Sequence, residues 1–279
     1  MWGLGQVGIR AAGADISPLM HAGIRSAGAS IVLLIWIFWK KPQALKIDGT
    51  LGLGMVIGAL FGLEFILLFQ GLMLTTASRG TLMLYMSSFF VAIGAHFFIA
   101  NDKLNARKIT GLVCAFGGVV LVMLGKPSTG ANLPSPEQMF LGDMLCLLAA
   151  IAWAATTLVV KATKLKSAMP EKNLIYQIGF SSVILLIASA VAQEKGIIHY
   201  TPLLAGVLAY GIFLVASVSY LAWFWLVSRY NATTLHAFTF LTPLFAMIFG
   251  AVLLDEPLGA SLVLAAALIA AGIVLVNKS

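Results

Sequence analysis

Charge is what this chain has least of. Only 10% of its 279 residues are Asp, Glu, Lys or Arg, against roughly a quarter in soluble domains, which excludes an ordinary water-facing surface over most of its length. Cysteine is scarce too. Cys114 and Cys146 each lie in an apolar run with no second thiol or histidine at ligand spacing, so neither a disulfide framework nor a zinc site is expected. The four histidines, His21, His96, His199 and His236, are dispersed, which argues against a metal centre. The stretch "GVVLVMLGKPS" lacks the glycine and hydroxyl residue of a phosphate-binding loop, and neither HExxH nor GxSxG occurs. Nucleotide-driven work, zinc hydrolysis and serine-esterase chemistry therefore have no sequence support, and no cofactor is expected. The opening "MWGLGQVGIRAAGA" has no basic leading region or separate cleavage motif, so a cleavable signal peptide is not expected.

What fills the chain instead is apolar sequence: 61% of residues, with a mean hydropathy of +1.01. Runs of about 20 apolar residues are the length of a membrane-spanning helix, and they are continuous rather than alternating, unlike barrel strands. Ten segments are expected, at about 1–13, 17–39, 50–73, 79–100, 108–125, 139–160, 173–192, 203–227, 233–254 and 259–276. The net charge of +7 comes from bases in the short breaks, where they read as topology signals and not as a nucleic-acid surface. With a cytoplasmic N-terminus, twelve of the 17 bases fall inside, so both termini are expected in the cytoplasm.

The break "GKPSTGANLPSPEQ", at the midpoint, reads as a linker between two halves. The segment from Ala77 pairs with that from Asn231 at a constant shift, aligning Ser88 with Thr242, Leu104 with Leu258 and Gly118 with Gly272. Five helices per half invert the second copy, so the expected fold is an all-α integral membrane protein of ten transmembrane helices in two inverted repeats, 1–125 and 139–279, joined by 126–138. Such repeats build transporters whose site lies near the midplane.

"WGLGQVGIRAAGADISP", "ASRGTLMLYMSSFFVAIGAHFF" and "NATTLHAFTFLTPLFAMIFGAVLLDEPL", in that order, resemble the drug/metabolite transporter superfamily, and within it the EamA-type ten-helix members. The resemblance implies a bacterial inner-membrane protein that moves amino acids, nucleobases, vitamins or other small metabolites by alternating access, mostly outward. Two departures stand out: Phe89 replaces a proline common in the fourth helix, while Pro243 is kept in the ninth, and the opening helix is short.

Several stripes could line a pathway. Thr81, Tyr85, Ser88, Ala92 and His96 recur on one face of the fourth helix, and Thr239 and Thr242, with His236 nearby, hold matched positions on the ninth. Small and hydroxyl residues also serve as plain interhelical glue. Trp2, Gln6 and Arg10 on the first helix match Trp153, Thr157 and Lys161 on the sixth, where the two bases equally fit interfacial anchors. Tyr220 and Phe224 share a mixed face, though "YLAWFW" also fits an aromatic belt. Gly54, Gly58 and Gly62 form GxxxG steps for close helix packing, whereas Glu64 points elsewhere.

Glu64 is the sharpest feature, a carboxylate about 20 Å into its helix. It is read three ways: as an ion pair with Arg25 or Arg10, as the binder of a cationic substrate group, or as a proton-coupling site. "DEP" at 255–257 reads as turn chemistry. The function expected is secondary transport of a small neutral or zwitterionic, amino-acid-like solute, with protons as a candidate coupling ion and the bilayer as surroundings. An importer of the same fold, a membrane enzyme and a channel are the alternatives, the last two lacking clustered catalytic groups or a charged ring.

Overall fold

The computed structural model describes residues 1–46, 48–99, 103–124, 134–229, 241–256 and 259–277. Their helices in chain order are α1 (Trp2–Ala11), α2 (Pro18–Lys40), α3 (Leu51–Leu74), α4 (Ala77–Tyr85), α5 (Ser87–Phe98) and α6 (Ala106–Leu124). After the midpoint come α7 (Pro136–Ala162), α8 (Pro170–Val191), α9 (Pro202–Ala209), a π-helical segment (Tyr210–Ser219), α10 (Tyr220–Arg229), α11 (Leu241–Leu254) and α12 (Ala260–Asn277). No strand occurs among the described residues; Ile16 and Ile197 form an isolated bridge. The linker core, 125–133, and the start of the ninth expected segment, 233–240, lie outside the described residues.

Helix starts follow local chemistry. Proline, which has no N–H to leave unpaired, opens α2, α7, α8 and α9. Ser135 and Gln138 cap α7 reciprocally, at 3.2 and 3.0 Å. Among the described residues six stretches are long and apolar enough to cross a membrane: Pro18–Lys40, Leu51–Leu74, Ala77–Phe98, Pro136–Ala162, Pro170–Val191 and Pro202–Arg229. Phe245–Leu254 and Ala260–Gly272 are shorter apolar helices. Phe38, Trp39, Phe97, Phe98 and Val191 are between 69% and 79% exposed. In water that would be an aggregation surface; in a bilayer it is the lipid face. The chain is a multi-pass membrane protein.

Two expected rods are not uniform. The fourth breaks at Met86, whose N–H turns back to Met83. The eighth passes through the π-helical segment, where Ser217 donates to the carbonyl of Ile212, five residues back, at 2.7 Å. Such wide turns recur at functional sites.

Glycine sets the closest helix contacts, as it does in membranes where packing rather than the hydrophobic effect joins helices. A methyl group at Gly54 would lie 2.5 Å from the Tyr176 ring, and one at Gly58 would lie 2.4 Å from the Phe180 side chain. The GxxxG face of α3 therefore packs on α8 within one chain. Gly71 and Gly142 bring α3 and α7 together, with 2.7 Å left between a Cβ at Gly142 and the Gly71 carbonyl. Gly118 holds α6 against α12 in the same way.

Candidate functional site

With α3 committed to α8 through its glycines, Glu64 is turned into a partly open cavity between α1, α2, α3, α4, α7, α8 and the π segment with α10. Its walls are aromatic. The Trp2 ring meets Trp153 at 5.9 Å, Tyr220 at 6.0 Å and Trp223 at 5.4 Å, and Tyr85 meets Trp153 at 5.4 Å. Edge contacts of this kind fix ring positions. The Trp2 indole N–H donates to the Ser219 hydroxyl at 2.8 Å, tying α1 to the end of the π segment.

Polar groups break the aromatic wall. The Arg25 guanidinium lies over the Phe65 ring at 4.2 Å, with Phe69 at 5.5 Å and Tyr220 at 5.8 Å. Its stem rests on Gly211, where an added Cβ would come within 3.1 Å, so the missing side chain there makes room for it. Arg25 and Glu64 are each only 4% exposed and Gln6 9%. Yet Nε and Nη2 of Arg25, Oε2 of Glu64 and Oε1 of Gln6 are buried without a hydrogen-bond partner. Thr156 and Thr157 also line the cavity but spend their hydroxyl protons on the carbonyls of Ala152 and Trp153.

Of the residues singled out in the sequence, Glu64, Tyr85, Trp153, Tyr220 and Arg25 meet in this cavity. Thr242 sits beside the Tyr85 hydroxyl. Thr81 is fully buried and donates to the Ala77 carbonyl at 2.6 Å, which makes it part of the packing of α4. Ser88 is buried on α5, off the cavity lining. Thr239 and His236 lie outside the described residues. Tyr220, Trp223 and Phe224 face the cavity, whereas Trp225 is 43% exposed, so "YLAWFW" is cavity wall on one side and outer surface on the other.

Arg10 goes elsewhere: of the two arginines considered as partners for Glu64, only Arg25 lines its cavity. Its Nη1 donates to the carbonyls of Leu72, at 2.8 Å, and Thr75, and its Nε lies 3.7 Å from Oε1 of Glu256. The reason is position: α1 carries Arg10 one residue past the cavity-lining Ile9, to where the end of α3 presents open carbonyls. Glu256, expected to serve only the "DEP" turn, is 5% exposed and accepts from the N–H groups of Ala77 at 2.6 Å and Ser78 at 3.1 Å. It thereby caps the positive end of α4. Glu194 does the same for α2, accepting from Leu19 and Met20 at 3.1 and 2.9 Å.

Sequence reasoning missed Asp143 and Gln177. Asp143 is fully buried, receives Arg79 at 2.5 and 3.0 Å and accepts from the Thr75 hydroxyl at 2.7 Å. The signal was present in "MFLGDMLCLL", a lone carboxylate in an apolar run like Glu64. Gln177 lines the cavity from α8, a face that only the α3–α8 contact reveals.

The EamA-like transporter family matches this chain over residues 1–124 and again over 140–278. A probable amino-acid metabolite efflux pump of Escherichia coli is 29% identical over 98% of this chain and 90% of its own length. Uncharacterized transporters of Archaeoglobus fulgidus and, as YoaV, of Bacillus subtilis are 27% and 23% identical, over 87% and 98% of this chain and 81% and 91% of theirs. A solved crystal structure described only as that of a protein superposes with a TM-score of 0.74 at 16% identity, covering 100% of this chain and 92% of that one. That likeness concerns the fold alone.

Proposed function

The chain belongs to the EamA-like transporter family, and on that premise we propose that it is a secondary active exporter of small zwitterionic metabolites, working by alternating access from the cavity around Arg25 and Glu64. One observation carries the reading. Two opposite charges and an amide, buried at 4% to 9% exposure, face a single cavity with polar atoms unsatisfied. Leaving such groups unpaired is costly, and a solute carrying both an anionic and a cationic end satisfies them. The carboxylate of an amino-acid-like solute goes to Arg25, whose planar fork suits it; its ammonium goes to Glu64 and Gln6; the indole and phenol rings take its apolar part.

The name of the Escherichia coli relative is in keeping with this chemistry. The double family match supports two five-helix repeats, inverted in a bacterial inner membrane. Most of the loop bases then fall inside, with both termini. The test is flux in proteoliposomes containing the purified full chain: uptake of radiolabelled amino acids should saturate, require a gradient and ignore ATP. Metabolite profiles of cells with and without the protein choose the solute. Flux that grows linearly with concentration would point to a channel and overturn the proposal.

A further inference from the structure

The α3–α4 turn, Thr75 and Thr76, is gripped from both sides. Thr75 uses its carbonyl to accept from Arg10 and its hydroxyl to donate to Asp143. Arg10 also meets Glu256, which holds the first N–H groups of α4 and accepts from the Ser78 hydroxyl at 2.7 Å. Arg79, one residue on, holds Asp143. Thr75, Ser78, Asp143 and Glu256 are all at most 5% exposed. One residue is therefore shared by two ion pairs with buried carboxylates, one reaching from α1 to the segment after α11 and the other from α4 to α7. Gly250 leaves the room this needs: a Cβ there would stand 2.6 Å from Oε2 of Glu256.

The grip lies beyond one end of the cavity. The last α3 residue lining it is Leu68, seven residues or about 10 Å short of Thr75. On α7 the lining begins at Trp153, ten residues or about 15 Å past Asp143, and on α4 it begins at Leu84, five past Arg79. The lining residues Val160 and Val227 mark the far end, where Lys161 donates to the Val227 carbonyl at 2.7 Å.

We infer that the Thr75–Thr76 turn, with the Arg10–Glu256 and Arg79–Asp143 pairs, is a latch that closes one end of the cavity, and that both pairs part together when that end opens. The inference rests on the alternating-access reading above. A buried pair is costly to break while its surroundings stay dry, because each ion is then left unpaired. Opening admits water to both ions and to the freed α4 N–H groups, which offsets that cost. The arrangement thus has two favourable states, shut and dry or open and wet, with intermediate states penalised. Sharing Thr75 couples the pairs, since displacing it for one removes a bond from the other.

The test is a distance measurement on the full chain in phosphatidylcholine nanodiscs, with Cys114 and Cys146 replaced by alanine. Spin labels go on Glu137→Cys and Leu253→Cys, two exposed positions at the α7 and α11 ends of the latch. The shut state should give one short distance. Asp143→Asn and Glu256→Gln should each raise the same longer distance, by about tenfold in population ratio. Unchanged distances in both variants, with lowered unfolding temperatures, would mean a static brace and overturn the latch. Two different longer distances would overturn the coupling. Should Asp143→Asn fail to fold, Thr75→Val removes only the hydroxyl bond; a smaller shift in the same direction supports the latch and none overturns it. The readout needs no flux, so a wild-type protein that transports without any shift sinks the latch alone, and one that shifts without transporting sinks the transporter reading alone.

Discussion

The charges around the α3–α4 turn and those in the cavity are treated in opposite ways. Around the α3–α4 turn, Arg79 and Asp143 face each other at 2.5 Å, and both oxygens of Glu256 are occupied by N–H and O–H donors. In the cavity, Arg25, Glu64 and Gln6 are equally buried and keep polar atoms empty. A folded chain gains nothing for its own stability by leaving such atoms unpaired. The first set therefore reads as the protein's internal wiring and the second as a demand on something that arrives from outside.

The sharpest way to break that contrast is to remove one charge from each set. Asp143→Ala strands Arg79 and should cost about 3–5 kcal/mol, read as a fall in unfolding temperature in detergent. Arg25→Met removes a charge that forms no salt bridge and keeps an apolar stem over Phe65, so it should cost less than Asp143→Ala, by about 2 kcal/mol. Equal losses would erase the distinction. Function should run the other way. Arg25→Gln is expected to lower saturable flux about a hundredfold, equivalent to roughly 2.7 kcal/mol of binding, with Arg25→Lys recovering part of it. Glu64→Gln keeps the shape and loses the charge; a drop of about tenfold in flux is expected, together with a flatter dependence on the proton gradient. Full transport with full proton dependence in that variant would exclude Glu64 from coupling.

A third pair, whose carboxylate Asp48 stands in the loop before α3, gives the smallest effect. Lys172 donates to Asp48 at 2.5 Å, and this bond, helped by Thr50, holds the Asp48 carboxyl at about 2, below its ordinary 3.8. A lowered carboxyl stabilises the fold above its unfolded value and loses that contribution as pH falls toward the folded one. Unfolding temperature should thus decline slightly between about pH 4 and pH 2, and Asp48→Asn should remove that slope. Half of the Asp48 side chain is exposed, so solvent keeps the effect small.

Much of the fold was legible because a bilayer leaves a chain few choices. Long apolar runs between Pro and charged breaks became helices, and the proline signals at residues 18, 136, 170 and 202 mark four of their starts. The glycine face of α3 was legible from spacing alone, and with it the direction in which Glu64 had to point. The break at Met86 and the π segment at Tyr210–Ser219 were not, since no proline or charge announces either. The cavity lining was half legible: Trp153, Tyr85 and Tyr220 were singled out by periodicity, while Gln177 depends on the rotation of α8 about its own axis.

Sequence alone determined that the chain lives in a membrane as packed helices and that its few intramembrane charges matter, because hydropathy and helical period are local properties. Which charge meets which partner was decided only in three dimensions. Arg10 and Arg25 stand on successive helices with Glu64 on the next, and spacing cannot tell which arginine turns toward it. The packing of α3 on α8 and the open carbonyls at the end of α3 sent Arg10 to Glu256 and left Arg25 facing the cavity with Glu64. Depth along a helix can be read from residue number; rotation against its neighbours is set by contacts between segments far apart in the chain.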